Sequence, residues 1–163
     1  MTIGVIGLGY VGLPLLIEFS KKYKVIGYDN NKKRLFDLKN NKDLNNEIKL
    51  TDFKKLKKIK ISNKISDLEN CNIFIITVPT PVNKNNRPDL SHLKKVCYKV
   101  SKILKKNDLV IFESTVFPGL TEDYCVEWLK LKNKLTYNKD FFCGYSPERI
   151  NPGDKKRTLT KIV

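Results

Sequence analysis

Gly7, Gly9 and Gly12 form GxGxxG directly after the short apolar run Ile3, Val5 and Ile6. That run reads as a buried strand, so the glycines fall where a strand must turn into a helix. So tight a turn needs positive φ, which glycine adopts without a Cβ clash. A bare Gly9 lets a pyrophosphate approach the backbone, and a bare Gly12 lets the helix pack on the strand. The helix N-terminus then offers unpaired N–H groups and partial positive charge to phosphates. A dinucleotide reading also asks for an acid about 20 positions on, at the end of the next strand. Lys24–Tyr28 is that strand and Asp29 the acid. Without a ligand, the same glycines would form an ordinary strand–helix turn.

Asp29 has two readings. As a ribose ligand it takes both adenosine hydroxyls and repels the 2′-phosphate of NADP. As a structural residue it caps the helix beginning at Asn30, Asn31 and Lys32. Arg34, one turn on, either touches the same ribose edge and leaves room for NADP, or is a solvated helix residue.

Further strands follow at intervals. Ile59–Ile61 is a short one. Asn72–Val78 is a continuous apolar run, expected to be a central strand buried on both faces. It empties into Val78, Pro79, Thr80 and Pro81, where two prolines stiffen the loop. Thr80 there either meets a ligand at the sheet's carboxyl edge or belongs to a plain strand-ending loop. A helix is predicted from Asp89 or Ser91 to about Lys106, with apolar residues at helical spacing. Asp108–Phe112 is the next strand, ending in Glu113, Ser114 and Thr115, and a helix follows over about 120–131. Ser114 and Thr115 are turn formers or, with the hydroxyl-bearing strand end Thr77 and Thr80, part of one shared site above the sheet. Phe141–Tyr145 leads to Ser146, Pro147, Glu148 and Arg149, a candidate acid–base and anion-binding pair or a surface ion pair. Ile162 and Val163 read as the start of another strand. Leu50–Leu56 and Lys64–Leu68 are short helices or turns. Strands alternating with helices predict an α/β fold, a Rossmann-like, doubly wound parallel sheet with helices on both faces.

Composition sets limits on function. The 163 residues fit one domain, and 40% of them are hydrophobic, as in a globular protein. No apolar run approaches the roughly 18–20 residues of a membrane span, and the chain opens directly on a core strand. Cytoplasmic residence without a membrane partner is the expectation. The net charge of +15 comes from 32 Lys and Arg against 17 Asp and Glu. Its clusters fall on helix exteriors and loops without interleaved aromatics, which favours solvated faces over nucleic-acid binding. Cys71, Cys97, Cys125 and Cys143 form no CxxC pair and read as reduced, buried thiols. His92, the single histidine, is a surface or capping residue, and no metal site is expected.

The motifs GLGYVGLP at 7–14, YDNN at 28–31, VPTP at 78–81, ESTVFPG at 113–119 and SPERINPGD at 146–154 together resemble the nucleotide-sugar dehydrogenase family. That family comprises the UDP-glucose and GDP-mannose 6-dehydrogenases, and the resemblance runs from Met1 to Val163. The SPERINPGD form is most similar to the branch acting on UDP-N-acetylhexosamines in bacterial surface polysaccharide synthesis. The resemblance implies an NAD-dependent, two-step oxidation of a sugar C6 alcohol to a carboxylate. It implies that Gly7, Gly9, Tyr10, Val11 and Gly12 hold NAD, with Asp29 and Arg34 at the adenosine ribose. It places Val78, Pro79, Thr80, Ser114 and Thr115 on the nicotinamide side. Thr115 would also help hold a water near the reacting carbon. Glu148 matches a glutamate implicated in thioester hydrolysis, and Arg149 would meet the UDP-sugar. The UDP-glucose branch has a second glutamate where this chain has Pro152, so that role does not transfer. Nothing here matches the family's helical middle domain or its C-terminal domain, which carries the nucleophilic cysteine. Cys143 lies inside a strand and is not that nucleophile. The expectation is a monomeric NAD-binding domain of a homodimeric parent enzyme, unable to turn over a sugar by itself. The alternatives are a non-catalytic NAD-sensing or interaction module, and a hydroxyacid dehydrogenase, which would share only the first motif.

Overall fold

The computed structural model describes residues 1–45 and 47–147. Its centre is one six-stranded, fully parallel sheet in the order β3-β2-β1-β4-β5-β6. The strands are β1 (Thr2–Ile6), β2 (Lys24–Tyr28), β3 (Lys60–Ser62), β4 (Ile73–Ile76), β5 (Asp108–Phe112) and β6 (Phe141–Tyr145). The helices are α1 (Gly12–Phe19), α2 (Lys32–Lys39), α3 (Leu50–Leu56), α4 (Ser91–Val100) and α5 (Val126–Lys130). A 3₁₀ turn covers Ile65–Leu68, and a π turn over Thr121–Cys125 leads into α5.

Alternation along the strands sorts the core into two layers. Ile3 and Val5 of β1 face α1, α2 and α3, together with Ile75 of β4. Ile6 of β1 and Phe74 and Ile76 of β4 face the opposite way, toward α4 and α5. Both faces are therefore covered, as the continuous apolar runs require. The connections leaving β1 and β4 lie on opposite faces of these neighbouring strands. This is the switch point of a doubly wound sheet, where a crevice opens at the carboxyl edge. The register aligns that edge. Ile6 pairs with Tyr28 and Ile76, and Ile76 pairs with Phe112.

Several expected boundaries move; the short strand expected at Ile59–Ile61 runs over Lys60–Ser62. The run 72–78 yields a strand only over Ile73–Ile76; past it the Thr77 N–H still donates to the Ile6 carbonyl at 2.9 Å and its hydroxyl to the Gly7 carbonyl at 2.7 Å, before Pro79 and Pro81, which have no N–H for a ladder. The helix expected to reach Lys106 ends at Val100. Buried Ser101 donates its hydroxyl to the Tyr98 carbonyl at 2.8 Å, and the Asn133 amide takes the Ser101 carbonyl at 2.9 Å. Side chains thus use carbonyls that further helix would need. Ile103 and Leu104 stay buried beyond the helix end. The helix expected over 120–131 opens as the π turn instead of regular α-helix. Among the described residues no helix is long and apolar enough to cross a membrane. The strand expected at Ile162 and Val163 lies outside the described residues.

Candidate functional site

The carboxyl edge of the sheet carries a cleft of about 370 Å³ above β1, β2, β4 and β5. The expected residues Gly7, Gly9, Tyr10, Val11 and Asp29 line it on the β1 side, and Val78, Pro79, Thr80, Ser114 and Thr115 on the β4–β5 side. Four segments from distant parts of the chain meet there because four strands end level.

Each glycine of the first turn does a separate task. Gly7 has φ of +99°, the left-handed region, and its N–H donates to the Tyr28 carbonyl at 2.8 Å. A Cβ on Gly12 would lie 1.8 Å from the Gly7 carbonyl oxygen and 2.4 Å from Thr77 Oγ1, so α1 reaches the strand only if this residue is bare. A Cβ on Gly9 would meet nothing within 4 Å, so the bare backbone there faces open cleft. The first turn of α1 contains no acidic residue. Its positive end is left for an external anion. These features fit a dinucleotide diphosphate.

Asp29 is placed by the same turn. Its Oδ2 accepts the Leu8 N–H at 2.8 Å, and its Oδ1 accepts the Asn31 N–H at 2.8 Å. The capping role goes to Asn31, whose side chain accepts the Arg34 N–H at 3.1 Å.

Arg34 departs from both of its readings. It is only 9% exposed and does not line the cleft. Its Nε donates to the Leu8 carbonyl at 2.9 Å, and its Nη1 to Asp43 Oδ1 at 2.7 Å. Its Nη2 is buried without a hydrogen-bond partner among the described residues. Arg34 therefore stands behind the glycine turn and reaches the cleft through Leu8. Burial pushes the Asp43 carboxyl up, but Arg34 and the N–H groups of Glu47 and Asn45 outweigh it and hold it below the usual range.

The two far loops are tied by hydroxyls. Buried Ser114 donates to the Val78 carbonyl at 2.7 Å, and Thr80 donates to the Thr115 carbonyl at 2.5 Å. Ser114 is thus a tether whose proton is already committed, whereas the Thr115 side chain is exposed at the rim. Glu148 and Arg149, with Pro152, lie outside the described residues.

Sequence reasoning missed Asn45, Pro81 and Glu113 as lining residues. Thr77 lines the cleft with Thr80, Ser114 and Thr115, the hydroxyl-bearing strand ends expected to share one site. Asn45 carried no signal, because its place depends on Asp43 gathering the N–H groups of Asn45, Glu47 and Ile48.

The cysteines are free thiols. Cys71, Cys97 and Cys125 are buried and Cys143 is half-buried in β6. Burial, with Cys125 and Glu122 nearby, pushes the Cys143 thiol up to about 12. It stays protonated at neutral pH and makes no nucleophile. His92 is exposed at the start of α4, as expected.

Comparison with known proteins agrees with this geometry. The family model for the UDP-glucose/GDP-mannose dehydrogenase family, NAD binding domain, matches residues 1–162. The UDP-N-acetyl-D-glucosamine 6-dehydrogenase of Salmonella typhi is 49% identical over 162 residues, covering 99% of this chain and 38% of that protein. Protein CapL of Staphylococcus aureus is 48% identical over 165 residues, covering 99% of this chain and 39% of that protein. The solved structure of a UDP-D-ManNAc dehydrogenase from Pyrococcus horikoshii superposes with a TM-score of 0.87 at 35% identity, over 100% of this chain and 39% of that one. The chain thus spans under two-fifths of the length of these relatives.

Proposed function

We propose, on the premise that this chain belongs to the UDP-glucose/GDP-mannose dehydrogenase family as its NAD binding domain, that it is the cofactor-holding part of a UDP-sugar 6-dehydrogenase. The parent enzyme would oxidise a sugar C6 alcohol to a carboxylate in two NAD-dependent steps. The similarity to the Salmonella typhi protein favours a UDP-N-acetylhexosamine substrate and a place in surface polysaccharide synthesis. The parent would be a cytoplasmic homodimer, and this chain by itself a monomer.

One observation carries the reading: bare Gly9 and the unopposed N-terminus of α1 face the same cleft as the carboxylate of Asp29. A diphosphate fits the first, and ribose hydroxyls fit the second. Val78, Pro79, Thr80, Ser114 and Thr115 would flank the nicotinamide, which when bound accepts hydride. Arg34 would act by holding Leu8, and through it Asp29, in position. Thr115, exposed at the rim, would hold a water near the reacting carbon. Glu148 and Arg149 would serve hydrolysis and substrate binding.

Calorimetric titration of the 163-residue chain with NAD tests the cleft. Saturable binding that Asp29→Ala weakens supports the reading, and absence of binding removes it. Incubation with NAD and UDP-sugars should yield no NADH. Sustained NADH formation would show that these residues carry a complete active site. The rival reading, a non-catalytic NAD-sensing module, has no specific observation in its favour.

A further inference from the structure

The polar loop between α2 and α3 is folded around one carboxylate. The Asp43 side chain is 2% exposed. Its Oδ1 accepts the Asn45 N–H at 3.2 Å, and its Oδ2 accepts those of Glu47 at 2.7 Å and Ile48 at 3.3 Å. From the other side the Arg34 guanidinium donates to Asp43 Oδ1 at 2.7 Å and to the Leu8 carbonyl at 2.9 Å. Leu8 lies between Gly7 and Gly9, so the loop and the glycine turn hang on the same buried ion pair. Such a carboxylate holds one arrangement, because each donor withdrawn would leave buried charge less well paired.

What this arrangement fixes at the cleft is Asn45. It is exposed and lines the cleft with Gly9, Tyr10, Val11 and Asp29. The described lining contains no lysine or arginine. Several of its hydroxyl protons are already committed. Thr77 donates to the Gly7 carbonyl, Thr80 to the Thr115 carbonyl and Ser114 to the Val78 carbonyl. The Asn45 side chain, by contrast, makes no hydrogen bond among the described residues; only its backbone N–H is engaged. A dinucleotide on this wall presents phosphate oxygens and ribose hydroxyls, all of which accept hydrogen bonds. A primary amide can donate to them without a charge of its own to desolvate.

We propose, resting on the reading that the cleft holds a dinucleotide, that Asn45 is a ligand of its adenosine diphosphate half and that Asp43 is the positioning residue that presents it. Asp43 does not line the cleft. It acts through the Asn45 N–H on one side and through Arg34 on the Leu8 carbonyl on the other.

Calorimetry and proton–nitrogen correlation spectra of the 163-residue chain test this. Asn45→Ala should weaken NAD and ADP-ribose by a similar factor, about threefold to tenfold, as for one neutral hydrogen bond. Its melting temperature should match wild type, because the side chain is exposed and unbonded. The side-chain amide pair missing from the Asn45→Ala spectrum should shift in wild type when ADP-ribose is added, and stay in place with nicotinamide mononucleotide. Asp43→Asn keeps the shape but turns one oxygen into a donor facing N–H groups, so it too should weaken NAD binding. Joined to Asn45→Ala, it should weaken binding by less than the product of the two separate factors, since the amide it presented is gone. The full product would reduce Asp43 to a structural residue and overturn its role. Should Asp43→Asn fail to fold, exchange of the Asn45 N–H in unliganded wild type decides: protection supports the role, and exchange at the unstructured rate overturns it. NAD binding that Asn45→Ala leaves unchanged, or an amide pair that ADP-ribose leaves in place, overturns the proposal while the dinucleotide reading stands. A chain that binds neither NAD nor ADP-ribose refutes that reading, and the proposal falls with it.

Discussion

The N–H of Leu8 donates to Oδ2 of Asp29 at 2.8 Å, joining the glycine turn to the end of β2 across 21 positions of sequence. One carboxylate therefore both braces the turn and faces the cleft. Asp29→Ala removes both contributions and Asp29→Asn mainly the charge. A hydrogen bond to a charged acceptor is worth about 1.5–3 kcal/mol, so Asp29→Ala should weaken NAD binding by at least about tenfold. It should also lower stability by about 1 kcal/mol in urea. Asp29→Asn should keep most of the stability. Wild-type affinity in Asp29→Ala would remove the residue from the site.

Gly9 and Gly12 separate binding from folding. Alanine at Gly9 meets open space, so stability should stay within about 0.5 kcal/mol of wild type. The same methyl stands where the diphosphate would approach, and NAD binding should be lost. Alanine at Gly12 would overlap the Gly7 carbonyl and the Thr77 hydroxyl, forcing α1 off the sheet. Gly12→Ala should lose the cooperative thermal transition or express as insoluble protein. A Gly9→Ala protein that binds NAD normally would place the diphosphate elsewhere.

The elements legible in sequence are those whose own residues decide them. Lys24–Tyr28, Asp108–Phe112 and Phe141–Tyr145 form strands over the bounds expected from their apolar runs, and Leu50–Leu56 forms a helix over its expected bounds. The glycine turn and Asp29 were legible because φ and close approach permit few residue types. What could not be read depends on partners distant in sequence. The Thr77 hydroxyl takes the carbonyl of Gly7 in the glycine turn, 70 positions away. Helix α4 stops where Asn133 reaches Ser101. Arg34 reads from sequence as a ribose contact or a solvated helix residue because Asp43, its buried partner, sits in a polar loop without periodicity.

That buried pair makes a pH prediction. The Asp43 carboxyl is held below its ordinary value of 3.8 despite its burial, chiefly by Arg34. A depressed acid stabilises the fold fully above the unfolded value and progressively less as pH falls through the folded one. The stability due to this pair should therefore persist at neutral pH and decline only below about pH 4. Removing one partner of a buried pair costs about 3–5 kcal/mol. Asp43→Ala should approach that loss at pH 7, and the gap to wild type should narrow in acid. A gap that is small at pH 7 would show the pair to be dispensable.

Asp108 behaves in the opposite sense. It is 1% exposed at the start of β5, and burial raises its carboxyl above 3.8, although the N–H of Lys105 donates to its Oδ2 at 2.8 Å. A raised acid leaves the native state holding more protons than the unfolded chain, so stability falls as pH rises from the unfolded value through the folded one. At neutral pH the charge is a net cost. Asp108→Asn keeps an acceptor for Lys105 and removes the charge. It should raise the melting temperature at pH 7 by about 2–4 °C, the shift expected of about 1 kcal/mol in a domain of this size. At a pH below the unfolded value both proteins are neutral at this position, and the advantage should vanish. Calorimetric melting across pH 3–8 checks both halves. A variant that melts below wild type at neutral pH would mean that the charge assists Lys105 more than burial penalises it.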